Sequence, residues 1–122
     1  MWVRFHDGMP DDPDVDRLSD GAFRLYVSAV CYAQRVQSDG FITRGQLQRT
    51  VPKFRPSALA ELTDNPLGND EGALLTETSA GIYLIRSFTK YQQTAAYWAQ
   101  RRETGARRVA EWRARKEGDT PE

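Results

Sequence analysis

The residues best able to do chemistry in this chain are the arginines and tryptophans near its C-terminus. Three arginines recur at seven-residue steps: Arg101, Arg108 and Arg115. A helix turns about 100° per residue, so this spacing places the three in one row. The row borders a narrow apolar sector: Trp98, Val109 and Trp112. Guanidinium groups bind phosphates and indole rings stack on unpaired bases. The pattern therefore predicts a nucleic-acid-binding arm, with phosphate contacts from Arg101, Arg102, Arg107, Arg108, Arg113 and Arg115.

Two other interpretations of this segment stay open. In the first, Tyr97 and Trp98 pack back on the rest of the chain, and the arginines form a solvated face. In the second, the sector is buried in a homodimer or against another protein, because Trp and Arg are enriched at interface hot spots. Its contact residues would be Trp98, Val109 and Trp112. Gly105 weakens the helix by about 1 kcal/mol relative to alanine, which favours a hinge or a close approach there.

Catalytic and metal chemistry find no support in the sequence. His6 is the only histidine and Cys31 the only cysteine, which excludes Ser-His-Asp triads, multi-histidine metal sites and disulfides within one chain. The five aspartates from Asp7 to Asp16 lack the bidentate glutamate of a calcium loop, and prolines interrupt them. No Walker or dinucleotide-binding motif is present. We expect no enzymatic activity, metal or cofactor, and we interpret the aspartates as a solvated loop or a counterpart to the basic tail.

The charges are unevenly distributed along the chain. Lys and Arg number 17, as do Asp and Glu, so the net charge is zero. Residues 1–20 nevertheless carry two arginines and six aspartates, a net charge of −4, and residues 89–117 carry eight basic residues and three glutamates, a net charge of +5. Apolar runs fall far short of the ~18 residues that span a bilayer, and the N-terminus lacks a signal-peptide pattern. We expect a soluble, cytoplasmic protein with no membrane partner.

The sequence of the first half of the chain predicts two short strands and three helices. Residues 2–5 form a strand candidate, and apolar residues at three- and four-residue steps predict a helix over 18–33, capped by Ser19 or Asp20. After a turn at 38–40 and a minimal strand at 41–42, Thr43 and Gln46 have the spacing of a capping box. The helix that they open ends at Pro52, and Pro56 lies early in the next helix, which Asn65-Pro66 stops.

The second half predicts a β-hairpin and a long helix. Residues 72–78 and 81–88 are rich in Leu, Thr, Ile and Tyr, and Ser79-Ala80-Gly81 joins them as a turn. Residues 93–116 are rich in Ala, Arg, Glu and Gln, which favour a helix. We expect a domain over 1–90, a basic amphipathic helix over 91–117 and a disordered tail over 118–122.

Several short motifs in a fixed order carry a family resemblance. They are Trp2-Val3-Arg4-Phe5 followed by Asp7-Gly8, Leu18-Ser19-Asp20-Gly21-Ala22-Phe23-Arg24-Leu25-Tyr26, Asp39-Gly40-Phe41-Ile42, Leu59-Ala60-Glu61-Leu62, and Tyr91-Gln92-Gln93 after a hairpin ending at Phe88. In this order, over nearly the whole chain, the sequence resembles the small winged helix-turn-helix proteins of actinobacterial phages and prophages. That group is related in pattern to the DnaD-type replisome-organiser N-terminal domain.

The resemblance implies an α+β winged helix-turn-helix with a short N-terminal strand, a β-hairpin wing and a long basic C-terminal helix. In such domains the second helix of the turn enters the major groove. The implied DNA contacts are Arg44, Lys53, Arg55 and Ser57. Two features depart from the pattern. The second helix presents Ala58, Glu61, Thr63 and Asp64 instead of base-reading donors, and the wing tip at 76–79 has no Lys or Arg.

These observations lead to two expected functions. The first is a non-enzymatic DNA-binding protein of phage or prophage type, which acts in replication initiation or transcriptional regulation in the cytoplasm of a bacterial host cell. In that case Ser57, Glu61 or DNA shape would supply any specificity. The alternative is a protein-interaction adaptor that binds a host or replisome protein through its Trp- and Arg-bearing C-terminal helix.

Overall fold

The structure, a computed structural model, describes residues 1–51 and 53–118. The helix end predicted at Pro52 lies outside these residues. So does the predicted disordered tail, apart from Gly118, which is the last residue of the final helix. No helix among the described residues has both the length and the apolar character needed to cross a membrane.

The elements alternate between helices and a small sheet, so the fold class is α+β, as predicted. A 3-10 turn at Met9–Asp11 precedes α1 (Pro13–Asp16) and α2 (Asp20–Val36). Strand β1 (Phe41–Thr43) leads directly into α3 (Arg44–Thr50), which α4 (Pro56–Thr63) follows. Strands β2 (Leu75–Ser79) and β3 (Ile82–Ile85) form the hairpin, and α5 (Phe88–Tyr91) precedes α6 (Ala95–Gly118).

Local capping explains where the central helices begin. The Ser19 side chain accepts the Ala22 N–H at 3.2 Å and caps α2, as predicted. Thr43 and Gln46 form both hydrogen bonds of the predicted capping box at the start of α3. Ala22, Leu25 and further apolar residues of α2 are buried against α3 and α4. The core of the molecule therefore lies between α2 and the α3–α4 pair, and the sheet closes it.

The sheet is antiparallel in the order β1-β3-β2. The minimal strand β1 pairs with the middle strand, with Ile42 opposite Tyr83. The hairpin turns at Gly81, whose φ of +73° suits glycine. Gly40, before β1, has a φ of +95°, and a Cβ there would lie 2.7 Å from Cβ of Phe88. The predicted turn at 38–40 thus lets α5 pack closely under the sheet.

The strand predicted at residues 2–5 does not form. The Arg4 N–H instead donates to Oε1 of Gln92 at 2.9 Å, and Nε2 of Gln92 donates back to the Arg4 carbonyl. A buried side chain therefore satisfies the backbone groups that a neighbouring strand would otherwise bond. This clamp holds the N-terminal segment against the junction between α5 and α6.

The aspartate-rich segment is only partly the solvated loop that its composition predicts, because Asp7, Asp11 and Asp16 are exposed but one aspartate is not. Asp14 is buried, and its Oδ2 accepts Nη1 of Arg86 at 2.9 Å and Nδ2 of Asn69 at 3.0 Å. The bonded Arg86 guanidinium holds the pKa of Asp14 below its ordinary value of 3.8. The partner of this aspartate is thus the residue after β3 and not the basic C-terminal tail.

Candidate nucleic-acid interface

The helix α6 leaves the rest of the molecule after its first turns. Oδ1 of Asp39 accepts the Ala95 N–H at 2.7 Å, and Oγ1 of Thr94 accepts the Tyr97 N–H, which fixes the start of the helix. From residue 105 to residue 117 every side-chain position is exposed. The predicted long basic helix is therefore present, and it begins two residues later than predicted.

The charges of α6 are segregated around its axis. It carries seven basic residues and three glutamates. At 3.6 residues per turn, all the basic residues except Arg107 fall on the half of the helix centred on the Trp98–Val109–Trp112 sector or, for Arg115, at its edge, and all three glutamates fall on the opposite half. Arg107 lies on the glutamate side, with Nη2 3.3 Å from Oε1 of Glu103. One side of this exposed helix is thus basic and aromatic, and the other is acidic and rich in alanine.

The predicted phosphate-binding arginines differ in how they are held. Arg101 donates to the Tyr97 hydroxyl and Arg102 donates to Oε1 of Gln37, both at 3.2 Å. No described residue forms a hydrogen bond or an ion pair with the side chains farther along the basic side: Arg108, Arg113 and Arg115. Arg102 is oriented by the body and Arg101 by its own helix, and the last three are free to meet an external anion.

The predicted interface sector is divided between the body and the solvent. Trp98 is half-buried, and its ring meets that of Tyr97 edge-on, with centroids 5.2 Å apart. Val109 is 48% exposed and Trp112 is 55% exposed. Nζ of Lys116 lies 4.9 Å from the Trp112 ring centroid. The packing expected for Tyr97 and Trp98 is thus seen for Trp98 alone, while Tyr97 and the rest of the sector are exposed.

The three DNA contacts predicted around α4 share one cleft. Lys53, Arg55 and Ser57 line a space of about 750 Å³ between the start of α2 and the loop before α4. Arg24 of α2 lines the same cleft, and sequence reasoning missed it because its neighbours in the cleft lie some thirty residues away. Leu25, Val51 and Ala58 also line the cleft and are buried.

Arg44 lies apart from that cleft. It lines a shallow surface between α4 and the sheet, together with Glu77 and Tyr83. Burial, and then the Glu77 carboxylate, raise the pKa of Tyr83, and the Arg44 guanidinium acts in the opposite direction. The predicted DNA contact Arg44 therefore lies at the sheet, away from the cleft that Lys53, Arg55 and Ser57 line.

The outward side of α4 offers little for reading bases. Ala58, predicted to face outward, is buried. Both carboxylate oxygens of Glu61 are engaged, because they accept the Ser19 N–H at 2.8 Å and the Ser19 hydroxyl at 2.6 Å. These bonds hold the pKa of Glu61 below its ordinary value of 4.5. Glu61 therefore caps α2 and is not available for the predicted role in specificity. The hairpin tip at 76–79 is exposed and carries no cation.

Metal chemistry has no visible site in the described part of the chain. No group of three or more His, Cys, Asp or Glu side chains within residues 1–51 and 53–118 is placed to hold a metal ion. The polar residues that sequence reasoning overlooked are instead amides. Gln34 and Gln92 are buried, and no periodicity or motif in the sequence distinguishes them from solvated glutamines.

These features leave α6 as the surface of the described chain with the strongest basic character. Comparison with known proteins adds no relative from which a role could be transferred. No protein-family model, curated protein or solved structure matches this chain.

Proposed function

We propose that this chain is a non-enzymatic DNA-binding protein of phage or prophage type with a winged helix-turn-helix fold. The helix α6 supplies most of its affinity. The order α2, β1, α3, α4 and a β2–β3 hairpin is compatible with that fold. The phage assignment, and a role in replication initiation or transcriptional regulation, rest on the sequence resemblance described above.

The observation that carries the proposal is the charge segregation of a solvent-exposed helix. A polyanion lying along the basic side of α6 meets six cations and no glutamate of that helix. Phosphate contacts from Lys and Arg release condensed counterions and supply most non-specific affinity for DNA. The cleft beside α4 adds Arg24, Lys53 and Arg55, although the carboxylates of Asp20 and Glu61 also line it. Any sequence preference then comes from Ser57 or from DNA shape, since Glu61 is engaged with Ser19.

Salt-dependent binding to duplex DNA tests this function. We expect Arg101→Ala, Arg108→Ala and Arg115→Ala together to weaken binding and to flatten the plot of log affinity against log salt by up to about 3 units. Fluorescence anisotropy at several salt concentrations measures both quantities. A slope that stays unchanged in the triple variant would contradict binding through α6.

A second candidate function is favoured by the exposure of Val109 and Trp112. An adaptor would bury this part of the Trp98–Val109–Trp112 sector in a homodimer or against a host or replisome protein. Its binding would persist at high salt, because apolar burial does not depend on counterion release. A complex that survives high salt in wild type and is lost in Trp112→Ala, together with an unchanged DNA slope in the triple variant, would select the adaptor.

A further inference from the structure

A small pocket of about 270 Å³ lies at the base of α6, between the N-terminal segment, α2 and the α5–α6 junction. Its aromatic lining residues are Trp2, Tyr91, Tyr97 and Trp98. The other polar lining residues are Arg4, Arg101, Gln34, Gln92 and Gln93. No carboxylate residue lines the pocket within the described chain. The lining is therefore aromatic, rich in amides and positively charged.

The walls of this pocket are held in place by specific hydrogen bonds. The side chain of Gln92 binds both backbone groups of Arg4, which fixes the N-terminal wall. On the opposite wall, the Arg101 guanidinium donates to the Tyr97 hydroxyl. Walls that are already ordered lose little conformational freedom when a ligand enters.

One donor at the pocket wall lacks a partner. Nε1 of Trp98 is buried, and no described residue accepts a hydrogen bond from it. A buried donor without a partner is destabilising, so a small reorientation of the Trp98 side chain that brings Nε1 to an acceptor on the ligand would be favourable. The ring edges of nucleobases carry oxygen and nitrogen acceptors that suit this donor.

The size and the lining restrict what can bind. The volume is just below the ~300 Å³ at which pockets for small ligands begin, so it suits a single flat group. The two arginines and the lack of a carboxylate disfavour a cation. A simple inorganic anion would bind the arginines but would make no favourable contact with the four aromatic rings. A planar base with a phosphate attached satisfies the rings, the amides and the arginines together.

We propose that this pocket binds one unpaired nucleobase, so that the protein prefers DNA with a single-stranded end over fully paired DNA. The inference rests on the proposed DNA-binding function and names the form of DNA recognised. Arg101 connects the two surfaces, because it lines the pocket and also begins the row that continues through Arg108 and Arg115. A DNA strand whose phosphates bind along this row would place its terminal base in the pocket.

The test compares two DNA probes of equal charge. Both have the same duplex and the same number of phosphates, but one has a short thymine overhang and the other an abasic overhang. The pocket variant is Trp2→Ala with Tyr91→Ala. These side chains are 74% and 43% exposed, so their removal should leave the fold intact. The matched control is Phe41→Ala, which removes a 45% exposed aromatic ring of β1, outside the pocket and outside α6.

We expect wild type and Phe41→Ala to bind the thymine overhang about tenfold more tightly than the abasic one, as stacking of one base implies. The ratio should persist at higher salt. In the pocket variant it should fall below about twofold while the affinity for the abasic probe is unchanged. If wild type binds both probes equally but its affinity for DNA still falls with salt, this inference alone is overturned. A pocket variant that keeps the preference for the thymine overhang overturns it as well. If wild type binds neither probe, both the proposed function and this inference are overturned.

Discussion

The charged side chains of α6 and those of the body that precedes it differ in what they contact. In the body, Asp14 pairs with Arg86, and Glu61 accepts two hydrogen bonds from Ser19. In α6, the side chain of Arg108 and its neighbours on the basic side extend into solvent. The charges of these body residues hold tertiary structure, whereas Arg108 and the other two arginines near the end of α6, unpaired within the described chain, remain available to a partner. Stability and binding should therefore respond to different substitutions.

The two helices α4 and α6 show the same contrast. Buried Leu59 and Leu62 anchor α4, and its one carboxylate within the helix serves as a cap for α2. In contrast, α6 has no buried residue after its first turns. The order of elements would direct a nucleic acid to α4, but the charge is on α6. The order of elements and the placement of charge are thus separate sources of information about function.

The largest effect that we expect is on stability, from Asp14→Ala. The substitution leaves the Arg86 guanidinium, only 12% exposed, without its anionic partner. Breaking a buried ion pair in this way costs about 3 to 5 kcal/mol of unfolding free energy. Urea denaturation of the variant and of wild type measures the difference.

Asp16→Ala is the matched control for this change, because Asp16 lies in the same short helix and is exposed. We expect it to change the unfolding free energy by less than about 0.5 kcal/mol. Equal losses in the two variants would show that Asp14 and Arg86 contribute no more than a surface pair.

Local sequence signals predicted the central helices well. The caps at Ser19 and at Thr43 with Gln46 act over three residues, so the residue types and spacing are sufficient to identify them. The strand predicted at residues 2–5 failed for the opposite reason. The group that satisfies Arg4 is the side chain of Gln92, which is 88 positions away and invisible to any local pattern.

The same distinction applies to the functional residues. The row through Arg101, Arg108 and Arg115 follows from helical periodicity alone, and the structure places it on one side of α6. Composition could not show which of the aspartates is buried, since Asp14 depends on Arg86, 72 positions away. For the same reason the pocket at the base of α6 was not predicted, as its walls come from distant segments.

A smaller effect is expected from Glu61→Gln, which weakens the cap on α2. The carboxylate accepts two hydrogen bonds from Ser19, and bonds to a charged acceptor contribute about 2 kcal/mol. These bonds lower the pKa of Glu61 in the folded state. The unfolded state therefore takes up the proton first as the pH falls, and the stabilisation is lost from the ordinary value of 4.5 downward.

Denaturation at pH 7 and at pH values below 4.5 measures this contribution. The difference in unfolding free energy between wild type and Glu61→Gln should be largest at pH 7 and should shrink as the pH falls. Glu103→Gln is the control, because Glu103 is exposed on α6 and touches no other element. If the difference in unfolding free energy between wild type and Glu61→Gln does not change with pH, the ionised carboxylate does not provide the stabilisation.

The smallest effect, and the most direct test of the contrast between α6 and the body, comes from single arginines within α6. Arg107 and Arg108 are adjacent and exposed, but Arg107 lies on the glutamate side and donates to Glu103. Neither alanine variant should change the unfolding free energy by more than about 0.5 kcal/mol. Arg108→Ala should reduce the salt slope of DNA binding by about 1 unit, because one phosphate contact is lost. Arg107→Ala should leave the slope unchanged. Equal slopes in the two variants would mean that net charge alone, and not the orientation of the basic side, determines binding.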